Sequence, residues 1–269
     1  MMSRKSPFFA VPRSAQPTST GPVDLPILYY DTSYVMAMFL VDRAAAEAHV
    51  RDEDLRPALG WGNRSVVALA GYEYRASTVG PYFEVALAIP VVPKDAPAGQ
   101  RWLQVLRNEE NFERDLGYRV LHLPVTTEAA DVAGRDIWGL PKFVTPIDVQ
   151  HSGRSISVRV DDPDAGEPIM TLDGQAGIGF PSLALPVMFY SRLDGQLLRS
   201  TVNGRGGTTM YTGGNLRLRV GVGGHPMAAT MRGLGLDGLK PWMVMTTHRA
   251  QSRLNRGVPI GSRLPARAR

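Results

Sequence analysis

Lys142 is the residue whose surroundings raise the first chemical question. It ends the run Ala133-Gly134-Arg135-Asp136-Ile137-Trp138-Gly139-Leu140-Pro141-Lys142, and Phe143 and Val144 follow it. The chain uses lysine sparingly: Lys5, Lys94, Lys142 and Lys240 are its four lysines, against 26 arginines. Arginine stays protonated, whereas lysine can lose its proton and act as a nucleophile. Pro141 fixes its own φ and biases Leu140 towards an extended backbone, so the amine is presented on a constrained segment. An ammonium among apolar neighbours loses hydration, and its pKa falls. Moving a lysine from about 10.4 to about 7 corresponds to about 4.6 kcal/mol of destabilisation of the charged form. The neutral amine can then attack a carbonyl and form an imine. The protonated imine accepts electrons from a leaving carboxylate, or from a broken Cα–H or C–C bond. The competing reading is structural: the stem crosses apolar neighbours and the head reaches water.

Glu84 is the second unusual residue. It lies in Val79 to Val92, whose side chains are mostly apolar on both faces of a strand. A carboxylate there either sits at a strand end facing water or points into a cavity, where it needs partners. Tyr82 lies two residues away and therefore on the same strand face. It can donate a hydrogen bond to Glu84 or to a substrate, or simply pack in the core.

These segments carry a resemblance. Residues 133–142 resemble the Schiff-base lysine motif of the acetoacetate decarboxylase family. Tyr82-Phe83-Glu84-Val85-Ala86-Leu87-Ala88-Ile89-Pro90-Val91 resembles the family strand that carries a catalytic glutamate. His225-Pro226-Met227, and then Met245-Thr246-Thr247-His248, resemble a later Ser/Thr-rich block that ends in His. The blocks follow the family's order and span about residues 34–251. The resemblance implies Lys142 as imine-forming nucleophile and Glu84 as acid/base or positioning carboxylate. Tyr82, Trp138, Leu140, Phe143 and His248 are the expected substrate contacts. The substrate expected is a small oxo acid or ketone, with no cofactor beyond the covalent imine, and the family implies a homo-oligomer. Two departures point away from acetoacetate itself. Phe143 stands where the family has a second Lys, and Tyr30 to Tyr34 lacks an early Arg. A further family glutamate falls near the apolar Val67 to Leu69, with Glu73 or Arg75 as substitutes. The chemistry expected is β-keto acid decarboxylation or an aldol reaction with dehydration. A non-catalytic small-molecule binding protein on the same fold is the alternative.

The elements that must position these residues read as β-rich. The 28 Gly and 21 Pro are spread throughout, which breaks long helices and favours short strands with turns. Strands are expected over residues 33–41, 65–74, 82–92, 118–125, 215–222 and 243–247. A short helix over residues 42–50 is capped by Asp42, and another is expected over residues 109–116. Ile147, Val149, Ile156, Val158 and Val160 recur at period two around His151 to Arg154, the pattern of a hairpin. The fold class implied is mainly β (α+β), an antiparallel sheet closed into a β-barrel with a few short helices. One domain is expected over residues 23–252, with an extended arm over 1–22 and a basic tail over 253–269.

Composition excludes other chemistries. The net charge is +5, but Arg249 to Arg269 contains six Arg and no acid. Without that stretch 24 basic residues face 25 acidic ones, so the body carries about −1 and no basic stripe for nucleic acid. There is no Cys, which removes disulfides, thiolate metal sites and Cys nucleophiles. The five histidines show no metal-ligand spacing, and no phosphate loop or Gly-x-Ser-x-Gly elbow is present. No apolar run approaches the roughly 18 residues of a membrane span, and the N-terminus lacks a signal-peptide core. A cytoplasmic location is the expectation.

Overall fold

The computed structural model describes residues 6–96, 115–184 and 187–260. The helix expected over residues 109–116 lies outside the described residues except for its last two, which are not helical. In chain order the first strands are β1 (Ser14–Gln16), β2 (Val23–Leu25), β3 (Ile27–Asp42), β4 (Leu55–Pro57), β5 (Gly60–Trp61) and β6 (Arg64–Ser77). Next come β7 (Tyr82–Pro93), β8 (Gly117–Val125), β9 (Lys142–Val144), β10 (Ile147–Ser152), β11 (Ser155–Asp161) and β12 (Pro168–Leu183). The last are β13 (Val187–Leu193), β14 (Gln196–Arg205), β15 (Gly207–Gly214), β16 (Arg217–Val220), β17 (Met243–Leu254) and β18 (Val258–Pro259). The helices are α1 (Arg43–Val50), α2 (Glu128–Trp138) and α3 (Pro226–Gly233).

Seven strands close into a barrel in the order β17, β3, β6, β7, β8, β13, β14 and back to β17. The neighbours are antiparallel except β8 and β13, which run parallel. Closure pairs the backbone groups that an edge strand would leave open. A second layer is built by β10, β11, the first half of β12, and β16. The second half of β12 pairs with β15, which joins β17 of the barrel.

This layering explains the long apolar runs. On β3, β6 and β7 one set of alternate side chains faces outward beneath the second layer. Val35, Phe39, Leu69, Leu87 and Ile89 are at most 1% exposed and form one core with Val149, Ile156, Val158 and Val160. Gly71 belongs to this contact, because a Cβ there would lie 3.1 Å from the Val149 side chain. The other set faces the barrel interior. Both faces are therefore dry, and the strand loses the apolar–polar alternation of a half-exposed one.

Several local expectations meet the structure directly. Asp42 caps α1, its Oδ1 accepting from the Ala44 and Ala45 amides at 2.8 and 3.2 Å. The hairpin of β10 and β11 pairs Val149 with Val158 and His151 with Ile156. The strand expected over 243–247 continues to Leu254, where it pairs with Ile27 and Val202. The tail boundary placed at Arg253 therefore falls inside β17, and β18 beyond it pairs with β14. Arg253 and Leu254, placed in the basic tail by composition, thus help to close the barrel through their pairing with β14. The N-terminal segment pairs β1 with β2 and buries Phe9 against Tyr30. No helix among the described residues is long and apolar enough to cross a membrane.

The contact between the layers has a measurable consequence. Leu87 is fully buried, so Leu87→Ala is expected to lower unfolding free energy by about 2–5 kcal/mol in urea titrations. A loss below about 1 kcal/mol would contradict tight packing at that position.

Candidate active site

The inward-facing residues of β6 and β7 pair across the strands as Tyr74 with Tyr82, Tyr72 with Glu84, Ala70 with Ala86, and Ala68 with Ala88. Large polar rings thus occupy one end of the barrel wall, and alanines occupy the next stretch. The small side chains leave the interior unfilled, and a cavity of about 190 Å³ runs along them.

The lysine arrives from a different element. The sequence suggested a constrained extended segment around it, but residues 128–138 form α2. That helix ends at Gly139 in the left-handed conformation, φ +63°. The Gly139 amide donates to the Arg135 carbonyl at 2.9 Å, and the Leu140 amide to the Gly134 carbonyl at 3.1 Å. This paired arrangement satisfies the last carbonyls of the helix. Glycine is also required by space, since a Cβ at 139 would lie 1.9 Å from the Arg192 carbonyl oxygen. The chain then turns through Leu140 and Pro141 into β9, which runs parallel to β8 with Lys142 beside Leu123.

From β9 the Lys142 side chain crosses the face of α2 at Gly134. A Cβ on Gly134 would lie 2.3 Å from Lys142 Cε and 2.4 Å from Cδ. The bare helix surface there is the channel for the lysine stem. At its end, Lys142 Nζ meets Glu84 Oε2 at 2.5 Å, with side chains 6% and 10% exposed. Glu84 Oε1 accepts from Tyr74 Oη at 3.3 Å. Tyr82 lies beneath the amine, its ring centre 5.7 Å from Nζ, and its hydroxyl is 2.9 Å from that of Tyr29. The amine therefore does not snorkel to solvent. Its polar partner there is the Glu84 carboxylate.

The tyrosines form a group that sequence reasoning largely missed. Tyr29, Tyr34, Tyr72, Tyr74 and Tyr118 line the cavity together with Tyr82. Tyr72 and Tyr74 stack in parallel at 5.5 Å, and Tyr29 packs on Tyr74 at 4.3 Å. Burial, then the Glu84 charge, push the Tyr29, Tyr72 and Tyr74 phenols well up. Burial, then Tyr29, and then Glu84 do the same to Tyr82. Burial pushes Tyr34 up to about 12. These groups stay protonated at neutral pH and act as donors. The period-two spacing of Tyr72 and Tyr74, on a segment read as a strand, was the available signal.

Of the expected substrate contacts, Tyr82, Trp138 and Leu140 line the cavity. Trp138 is fixed there by its indole N–H, which donates to the Asn255 carbonyl at 3.1 Å. Phe143 does not line it. Alternation along β9 turns Phe143 to the outer face, where its ring lies 4.9 Å from His225. His248 does not line it either. It is exposed and stacks on His151 at 3.9 Å. Glu73 and Arg75 pair with each other at 2.8 Å, and Arg75 also pairs with Asp31 at 2.7 Å, away from the cavity. Among the described residues no group of three or more His, Asp or Glu could hold a metal ion.

Comparison with known proteins bears on this geometry. Residues 10–191 match the family model described as acetoacetate decarboxylase (ADC). No curated protein matches the chain. The chain is similar to the crystal structure of acetoacetate decarboxylase from Legionella pneumophila, at 17% identity and a TM-score of 0.64, over 94% of this chain and 93% of that one. It is similar to the enduracididine biosynthesis enzyme MppR complexed with pyruvate, at 12% identity and a TM-score of 0.60, over 90% and 93%. It also resembles an acetoacetate decarboxylase-like enzyme from Sphingomonas wittichii, at 11% identity and a TM-score of 0.57, over 88% and 94%. At these identities the structural likeness establishes the shared fold.

Two outcomes are expected from the site's geometry. Gly134→Ala adds a methyl where Lys142 crosses α2, while alanine favours the helix by about 1 kcal/mol over glycine. Any loss of thermal stability should then come from Glu84 left without its partner and not from the helix, and chemical labelling of Lys142 should show the amine displaced. Unchanged labelling would remove the role given to Gly134. The raised phenols of Tyr29, Tyr34, Tyr72, Tyr74, Tyr82 and Tyr190 set a second test. Below about pH 10 both folded and unfolded chains keep these protons. Above it the unfolded chain loses them first, so stability falls as pH rises towards the folded-state values. Ultraviolet titration of the folded protein at about pH 11 should leave these six phenols protonated. Ionisation of all tyrosines near pH 10, without unfolding, would contradict it.

Proposed function

The chain belongs to the acetoacetate decarboxylase family, and from that premise we propose that it is a lyase in which Lys142 forms an imine with a small oxo acid or ketone. The observation that carries this reading is the buried contact of Lys142 Nζ with Glu84 Oε2 at 2.5 Å, facing a cavity of about 190 Å³.

The steps follow from the contact. The ammonium passes a proton to Glu84, and the free amine attacks the substrate carbonyl carbon. The carbinolamine formed loses water as Glu84 returns a proton to the departing hydroxyl. In the protonated imine, the bond from the adjacent carbon to a carboxylate can break, releasing carbon dioxide and leaving an enamine. Protonation at that carbon and hydrolysis restore Lys142. An enamine formed instead by proton loss can attack an aldehyde and lose water, which is the aldol and dehydration route. Both routes share the imine, and the chemistry as written needs no cofactor. The tyrosine hydroxyls serve as donors to the carbonyl oxygen and to oxygens next to it, since burial keeps them protonated. Pyruvate, with which the enzyme MppR was solved, is a suitable first probe for this chain.

Borohydride reduction in the presence of pyruvate or acetoacetate should add the substrate fragment to Lys142, as read by peptide mass. Lys142→Ala should show no adduct. Glu84→Gln should slow adduct formation about 10²- to 10⁴-fold, the range for a positioned acid or base. An unmodified Lys142 with every oxo acid tried would favour a non-catalytic binding protein. NMR of the products separates decarboxylation from aldol chemistry.

A further inference from the structure

The cavity is charged at one end and mostly apolar along the rest of its length, where Tyr118, opposite Pro90, adds one phenol. Its charged lining residues among those described are Glu84, Lys142 and Arg205. All three lie at the end marked by Tyr29. Ser252 pairs with Tyr29, Gly204 pairs with Ser252, and Arg205 follows, its guanidinium held by the Gln251 side chain. Tyr82 and Tyr74 bring Glu84 to the same level. From there β7 continues inward-facing as Ala86 and Ala88, and β6 as Ala70 and Ala68. Four residues from Glu84 to Ala88 span about 13 Å of extended strand. Met36, Met38, Val120 and Met245 line the same stretch. None of these side chains carries a hydrogen-bonding group beyond thioether sulfur.

A three- or four-carbon oxo acid would occupy the polar end and leave this stretch without a partner. The volume of about 190 Å³ exceeds the roughly 150 Å³ of an apolar cavity that admits benzene. Resting on the imine reading above, we propose that the substrate is a carbonyl compound with an apolar tail of about six carbons or more. Its carbonyl meets Lys142, and its tail lies along the stretch of barrel wall formed by the neighbouring alanine pairs Ala70–Ala86 and Ala68–Ala88. The alanines are then specificity-determining residues, because any larger side chain on that inner face shortens the slot.

Methyl ketones of increasing length, from acetone to 2-octanone, test this with the full chain. The readout is the ketone concentration that gives half-maximal borohydride trapping at Lys142. Each methylene buried contributes about fourfold in affinity, so that concentration should fall at least about a hundredfold from acetone to 2-octanone. Ala88→Leu should abolish the dependence on length, and Ala68→Met should do the same if the first variant fails to fold. Equal or weaker trapping of the longer ketones by the wild type overturns the tail pocket while leaving the imine intact. Trapping with no ketone and no oxo acid overturns the imine. In that case saturation-transfer NMR of Lys142→Ala decides the pocket: binding of 2-octanone but not acetone sustains it, and binding of neither removes it.

Discussion

The contact between Lys142 and Glu84 is the constraint on which the rest of the structure depends. Taking an ammonium and a carboxylate out of water costs several kcal/mol per ion, and only close geometry with further hydrogen bonds offsets it. The protein supplies that geometry from two directions. Glu84 sits on a wall strand whose outer face is held by the second sheet. Lys142 sits on a three-residue strand fastened to β8 and preceded by a terminated helix. Neither side chain could hold the other at 2.5 Å if the barrel were open between them. Removing one partner would leave a buried charge without compensation, which costs more than the pair contributes.

Small residues do the spatial work around that contact. Gly139 lets the chain leave α2 against the Arg192 carbonyl, and Gly134 clears the surface over which the lysine stem passes. The alanine pairs on β6 and β7 keep the barrel interior from closing. A barrel of this size is ordinarily filled by its own side chains. Here the interior is filled by tyrosine at one end and left open along alanine and methionine. The charges and most of the tyrosine hydroxyls therefore collect at the end where Lys142 meets Glu84, and a mostly apolar stretch follows.

Much of the fold was legible in the sequence because its signals are local. Asp42 before an alanine-rich run announces a cap, and the period-two Ile and Val around His151 to Arg154 announce a hairpin. Gly and Pro throughout, with no long amphipathic helix, point to short strands and turns, and the barrel follows from that class. Helix α2 was not legible. The run from Ala133 to Trp138 was read as surroundings of the lysine, so Ala130, Ala133 and Trp138 were not seen as one helical face. The full lengths of β3 and β17 were also missed, and no strand was expected where β12, β13, β14 and β15 lie. Glycines such as Gly174, and bulges such as that between Thr247 and Ala250, look like strand ends when only neighbours along the chain are considered.

The sequence by itself determined which residues are chemically out of place: a lysine among apolar neighbours and a glutamate inside an apolar strand. Residue type and immediate context suffice for that, because the cost of hydrating or burying a group depends on its own chemistry. Only the tertiary structure decided where those groups go. Lys142 and Glu84 meet across 58 residues, six tyrosines converge from β3, β6, β7 and β8, and Phe143 and His248 turn outward. Each of these depends on strand register and barrel closure. A shift of one residue would exchange inner for outer face along a whole strand, and nothing within a single segment specifies its partner's alignment.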